Sequence, residues 1–282
     1  MAAAFPSVIT VQAPITSIPL QRISLFLCTL PLFSFVSCVL IALVWHFDDT
    51  TKTHCQVPNY LPSISAAIGG NMPEMFIWRV AIALHCFPRI LLLPSAIHKH
   101  YTNTQSGRIY HLTTWWFKPL NFLNYILEII ENGALLSMTY ISSVENHAMH
   151  EASFIVFMVC SMSYMFLSCI LSGLTASKPM SKEDSSLFRK KVFAMIFNYF
   201  SFGMAVYFFF RHNWYCEPGG ILEIYTLFAL GEYCTVLSNV AFHWHCSKHF
   251  NGAVLMLTFV EDMKDARDEE PVISGYKDQK LI

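Results

Sequence analysis

Long apolar runs alternate along this chain with short polar ones. Six runs, at residues 23–47, 74–97, 119–142, 151–174, 192–210 and 221–244, approach or exceed the length of about 20 mostly apolar residues that a helix needs to cross a bilayer. The pattern predicts an all-α fold, a polytopic membrane protein whose six transmembrane helices form a bundle over residues 23–245. The first run follows residues 1–22 and lacks a small-x-small cleavage site, so it reads as a retained span and not a signal peptide. Residues 1–22, with Pro6, Pro14 and Pro19 and no helical period, read as a loose cytoplasmic arm. Residues 246–282 are dense in mixed charge and read as a largely disordered cytoplasmic tail.

The third run breaks its own pattern with Asn121, Asn124, Glu128, Glu131 and Asn132. Positions three or four apart share a helix face, so these five form one polar stripe. The second run offers Arg79, His85 and Arg89 as partners, and the sixth offers Glu232, Asn239 and His243. At about 1.5 Å of rise per residue, Arg79 should lie roughly 8 Å below the lumenal surface, His85 about 16 Å and Arg89 about 22 Å. Glu131 and Glu128, descending on the neighbouring helix, fall at roughly 15 Å and 20 Å. These depths predict a Glu131–His85 pair and a Glu128–Arg89 pair, because an unpaired charge at mid-bilayer costs at least about 2.5–3.5 kcal/mol. Asn121, Asn124, Asn198 and Asn239 read as glue between helices. Arg79, His85, Arg89 and Glu131 read as functional, since intramembrane ionisable groups tend to face a cavity or substrate path. Glu128 and Glu232 fit either role.

Composition narrows the class further. Apolar residues make up 54% of the 282 and charged residues 13%, too little charge to cover a soluble globule. The net charge of -1 and the absence of a clustered basic face exclude a nucleic-acid partner. Lys and Arg concentrate in the arm, the second and fourth loops and the tail, whereas the opposite loops hold Lys52 and Arg211, so both termini are expected in the cytoplasm. Of nine cysteines, Cys55 and Cys216 alone fall in loops on the oxidising side, and a disulfide between them is favoured over two free thiols. His54, His147, His150, Glu151 and His212 gather in those same loops. His147, His150 and Glu151 have a spacing that a metal could use, but a zinc site needs three or four ligands and a second shell, so no metal is expected, and nothing calls for a cofactor. No Ser-centred elbow or His-Asp acyltransferase box is present. The lack of repeats and broken helices argues against a transporter.

The stretches HFDDTTKTHCQVPNYLPSISAAIGG (46–70), WRVAIALHCFPR (78–89), ALLSMTYISSVENHAMHEASFIVF (134–157) and VYFFFRHNWYCE with YTLFALGEYCTVLSNVAFHW (206–244) resemble the post-GPI attachment to proteins factor 2 family across all six runs. The resemblance implies a multi-pass protein of the Golgi membrane, with the endoplasmic reticulum as a second location. It implies fatty-acid remodelling of GPI anchors, in which a lyso-GPI regains a saturated acyl chain at sn-2. The implied partners are GPI-anchored proteins, lyso-GPI and membrane lipids, with the acyl donor left open. The motif positions carried over are His54, Cys55, Pro58, Asn59, Tyr60, Arg79, His85, Arg89, Glu131, Asn132, His150, Glu151, Arg211, His212, Asn213, Cys216 and Glu217. Extra residues around PGGILEI, and Glu128 in place of a less acidic residue, depart from the family pattern.

Joining the two readings, Arg79, Arg89 and Arg211 are the expected phosphate ligands. His85, oriented by Glu131 and Asn132, is the expected catalytic base, with His54, His150 and His212 as the shallower alternative. The rival reading is a non-catalytic subunit that presents lyso-GPI to a separate acyltransferase.

Overall fold

The apolar runs fold as helices, several of which extend beyond the run itself. A computed structural model describes residues 9–11, 15–217, 223–257 and 260–262. Its helices are α1 (Leu20–Trp45), α2 (Phe47–Thr51), α3 (Ile64–Gly69), α4 (Glu74–Leu91), α5 (Leu93–Asn103), α6 (Gln105–Thr113), α7 (Phe117–Tyr140), α8 (His147–Thr175), α9 (Lys182–Tyr215) and α10 (Ile224–Cys246). Among the described residues, four stretches are long and apolar enough to cross a membrane: Leu20–Trp45, Glu74–Asn103, His147–Thr175 and Lys182–Tyr215. The helices α7 and α10, of 24 and 23 residues, match them in length but not in apolarity, because the polar stripe of α7 and Glu232, Asn239 and His243 of α10 lie within them.

The second run, expected as one helix ending at residue 97, is two. Between α4 and α5 the chain turns at Leu92, with Pro88 and Pro94 on either side. Proline lacks an N–H and crowds the preceding turn, which is enough to break a helix. Two of the long helices start where a side chain accepts a free N–H group: Asn146 from Met149 at the head of α8 and Ser181 from Asp184 at the head of α9.

Three buried apolar clusters fill the bundle. Phe35, Cys38, Val39 and Ala42 of α1 pack on Trp78, Ile82 and Cys86 of α4. Tyr164, Met165 and Cys169 of α8 pack with Ala194 of α9 and with Phe242 and Cys246 of α10. Leu20, Leu27, Leu93, Ile97, Tyr101, Phe117, Leu171 and Phe250 close the end where the chain enters. At the α9–α10 contact, a Cβ on Gly231 would come to about 3.0 Å from the Ala205 backbone and Cβ, so glycine lets the two helices approach without displacement. Large apolar side chains such as Phe33, Val44, Phe193 and Phe200 point outward.

The loop between α1 and α4 is sewn to the bundle. Asn59 donates to the carbonyls of Thr51 and Leu61 and accepts from Thr226 Oγ1 at 2.7 Å. The backbone N–H of Ile64 donates to Glu232 at 3.1 Å, and the Tyr233 hydroxyl donates to the Pro62 carbonyl. The expected disulfide is present: Cys55 is bonded to Cys216, with Cα atoms 5.2 Å apart.

The arm and tail form a second unit, comprising residues 1–19 and 254–282. The helical fold expected of the membrane domain stands, and outside it four short strands pair antiparallel: β1 (Ile9–Val11) with β4 (Val260–Asp262), and β2 (Thr16–Pro19) with β3 (Val254–Leu257). Their ladder partners lie at opposite ends of the sequence, a relation that local periodicity does not carry. The expected disorder of 263–282 lies outside the described residues.

Candidate functional site

Three helices bring their ionisable groups together around Arg89, which is only 4% exposed. Its Nη1 donates to His85 Nε2 at 3.0 Å, and its Nη2 lies 3.3 Å from Glu128 Oε1 and 2.9 Å from His243 Nδ1. His85 Nδ1–H donates to the Leu27 carbonyl of α1 at 2.6 Å. His243 Nε2–H points at Glu131 Oε1, 3.3 Å away. The Tyr164 ring stacks on His243 with centroids 5.4 Å apart and planes 13° from parallel. The contacts of His85 fix its tautomer, with Nε2 accepting from Arg89 and Nδ1–H donating to Leu27, whereas on His243 the Arg89 Nη2 lies near both ring nitrogens, at 2.9 and 3.3 Å.

The Glu128–Arg89 pair thus forms as depth predicted, while Glu131 meets His243 and not His85. Asn132, expected to orient His85, instead donates to the Glu128 carbonyl of its own helix at 2.7 Å. In this arrangement His85 has no free lone pair with which to accept a substrate proton. Arg79 is separate as well. It donates to Glu145 Oε2 at 2.7 Å and to the carbonyls of Thr139 and Tyr140, closing the outer end of α7. The Ser142 N–H and then Arg79 hold the Glu145 carboxyl low, at about 2.

The loop-side histidines divide in the same way. His150 Nδ1 lies 2.9 Å from the carbonyls of Met138 and Ile141, and Nε2 is 3.0 Å from Ser65 Oγ, so this ring pins α3 and the end of α7. His147 and Glu151 are exposed and 3.8 Å apart. His212 is fully buried, yet neither ring nitrogen has a hydrogen-bond partner among the described residues. Its ring abuts His54, which is exposed, at 5.3 Å edge to face, and Tyr225 at 4.7 Å. Ligand atoms of His54, Cys55 and His212 lie within 4.8 Å of one another, but the Cys55 sulfur is bonded to Cys216 and has no thiolate to offer a metal. Arg211, adjacent in sequence, donates to Glu217 at 3.1 Å and to the Tyr207 hydroxyl at 3.3 Å. A groove of about 460 Å³ opens in the loop between α1 and α3, lined by Asp48, Thr51, Lys52, Gln56 and Pro58 among others, and His54 is not part of its lining.

Sequence reading missed a second buried polar cluster, at the opposite end. Lys191 Nζ donates to Ser172 Oγ at 2.7 Å, Ser168 Oγ at 3.3 Å and His249 Nε2 at 3.1 Å. His249 Nδ1–H faces His100 Nε2 at 3.1 Å, and the Tyr101 hydroxyl joins both serines. Burial, then Lys191, then His100 push His249 well below its ordinary value. The i, i+4 spacing of Ser168 and Ser172 was the available signal.

A membrane helix bundle that carries its ionisable groups on facing helices and ties its first long loop to its last defines the class. Residues 19–252 match the Frag1/DRAM/Sfk1/Cwh43P N-terminal domain. "Acyltransferase PGAP2" of Xenopus tropicalis is 39% identical over 231 residues, covering 81% of this chain and 86% of that protein. "Post-GPI attachment to proteins factor 2" of Caenorhabditis elegans is 38% identical over 247 residues, 86% of this chain and 90% of that protein, and its Drosophila melanogaster counterpart is 36% identical over 228 residues. The chain belongs to the post-GPI attachment to proteins factor 2 family. No solved structure matches it.

Proposed function

We propose that this chain remodels GPI anchors in the Golgi membrane by returning a saturated acyl chain to the sn-2 hydroxyl of lyso-GPI. Six helices, α1, the α4–α5 pair, α7, α8, α9 and α10, cross the bilayer with both termini in the cytoplasm; the distribution of Lys and Arg supports this orientation. The loop holding the disulfide then faces the lumen. Relatives named as post-GPI attachment factors and as an acyltransferase support the reaction class.

The observation that carries the site is the pairing of unsatisfied His212 with exposed His54 at the lumenal end of α9. His212 lies three residues from the end of α9 at Tyr215, about 5 Å below the helix terminus, the depth of a lipid glycerol. His54 accepts the sn-2 hydroxyl proton as that oxygen attacks the carbonyl of an ester or thioester donor, and returns the proton to the departing group. Arg211 holds the phosphate, trading its exposed contact with Glu217 for a charge-assisted one. The Arg89 cluster, sealed and internally paired, holds the helices that set this geometry. Expressed at normal levels in cells lacking the endogenous protein, a His54→Ala/His212→Ala chain should leave anchors unsaturated. Wild-type saturation would dismiss the assignment.

One observation favours the accessory reading: the most heavily charged cluster, around Arg89, is almost wholly buried, and both of its imidazoles face the guanidinium. Purified chain in bilayers with labelled lyso-lipid and an acyl donor separates the two, because turnover by the single polypeptide requires the enzyme.

A further inference from the structure

A groove of about 600 Å³ runs between α9 and α10 at the basic end of the bundle, some 23 residues and about 35 Å along α9 from His212. Its size falls within the range of about 300–1,000 Å³ usual for small-ligand sites. Small residues make it: Ala194 on α9 faces Ser238 and Ala241 on α10, leaving a furrow between Phe193, Phe197 and Leu237. At its mouth stand Arg189 and Lys190, both exposed and neither in an ion pair among the described residues. His245 lines the same mouth within electrostatic reach of Lys190, Lys191 and Lys248. Uncompensated positive charge therefore crowns an apolar channel.

The two parts lie at depths that suit one molecule. Phe193 and Phe197 are four and eight residues beyond Arg189, about 6 and 12 Å further into the membrane. A phosphate at the arginine would have its acyl chains beside these rings. Juxtamembrane Lys and Arg attract anionic lipid in this way, and arginine binds phosphate through two parallel N–H groups.

We propose that this groove is a binding site for an anionic glycerophospholipid, with its phosphate on Arg189 and Lys190 and one acyl chain along Phe193 and Phe197 over Ala194 and Ala241. The site is separate from the acyl-transfer reading. It draws on the orientation proposed above only to assign the cytoplasmic leaflet as the source of lipid. An anchored lipid here fixes α9 against α10 at the end opposite the disulfide.

The test is to reconstitute the full chain in bilayers of equimolar phosphatidylserine and phosphatidylcholine, extract it gently, and count retained lipids by native mass spectrometry. Phosphatidylserine should be retained in preference to phosphatidylcholine. Arg189→Gln with Lys190→Gln should lower that preference about tenfold or more, with the thermal stability of the delipidated chain unchanged because both side chains are exposed. Ala241→Phe, which fills the furrow and keeps both charges, should also displace the lipid. Equal retention of the two lipids, or full retention by the double variant, overturns the proposal. Equal competition by soluble glycerol 3-phosphate would mean that the mouth binds a free phosphate and also overturns it. So would a carbodiimide cross-link, in the same bilayers, from Lys190 to an acidic residue of 265–270, which would give the groove to the chain's own tail.

Discussion

Arg89 and His243 stand 154 residues apart in the chain and meet with Nη2 2.9 Å from Nδ1 in the middle of the bundle. The contact joins α4 to α10 and, through Glu128 and Glu131, joins both to α7. Removing the guanidinium leaves Glu128 charged and unpaired in a dry interior, which costs about 3–5 kcal/mol. Arg89→Met should therefore sharply lower the melting temperature in detergent and the steady-state level in cells. Arg89→Met with Glu128→Gln should recover part of the loss, as expected of a directly coupled pair. Equal stability of the two would show that the residues do not interact.

The disulfide gives an independent measure. Cys55→Ser or Cys216→Ser should destabilise the fold by about 2–5 kcal/mol, read as a lower unfolding midpoint. Non-reducing peptide mapping of the wild-type chain should recover the two cysteines in one linked peptide. Cys28, Cys38, Cys86, Cys160, Cys169, Cys234 and Cys246 should all be alkylated once the chain is denatured.

His249 predicts an acid sensitivity at the end of the bundle where α10 finishes. Its folded-state pKa is lowered by burial and by Lys191, so below the ordinary histidine value of 6.5 the unfolded chain binds more protons than the folded one. Stability should be fully present above pH 6.5 and decline as pH falls beneath it. His249→Gln, which can still accept from Lys191 and donate to His100, should flatten the profile of melting temperature against pH in that window. An unchanged slope would contradict the assignment.

Glu145 acts in a lower window and in the usual direction for a carboxylate. Its pKa of about 2 is below the ordinary 4.5, so its contribution is present above 4.5 and disappears as pH falls through about 2. Glu145→Gln should remove that loss, measured by acid unfolding followed by tryptophan fluorescence.

Close approach at Gly231 predicts a steric effect. Gly231→Leu should force α9 from α10 and cost about 1–3 kcal/mol, visible as a lower melting temperature. Ala205→Gly should rescue little of it, because the facing atoms include the Ala205 backbone N and Cα.

Much of the bundle could be read from the chain because apolar run length and the polar stripe of α7 are local properties. Rise per residue was enough to pair Glu128 with Arg89. It failed for Glu131, because depth ranks groups along the membrane normal and says nothing of azimuth, and His243 stands on the side that Glu131 faces. The partner of His85 is a backbone carbonyl, Leu27, which no side-chain pattern announces. Arg79 and Glu145 belong to different elements that meet at a helix end, and Glu145 was read only as a loop residue. The break at Leu92 was marked by Pro88 and Pro94, but the apolar run continues through it.

The loop between α1 and α4 draws its fastenings from further along the chain: His150, Cys216, Thr226, Glu232 and Tyr233. During synthesis this loop must therefore wait until α10 leaves the ribosome. Chains stopped before residue 224 would expose it unfastened, which makes completion of α10 the natural checkpoint for quality control.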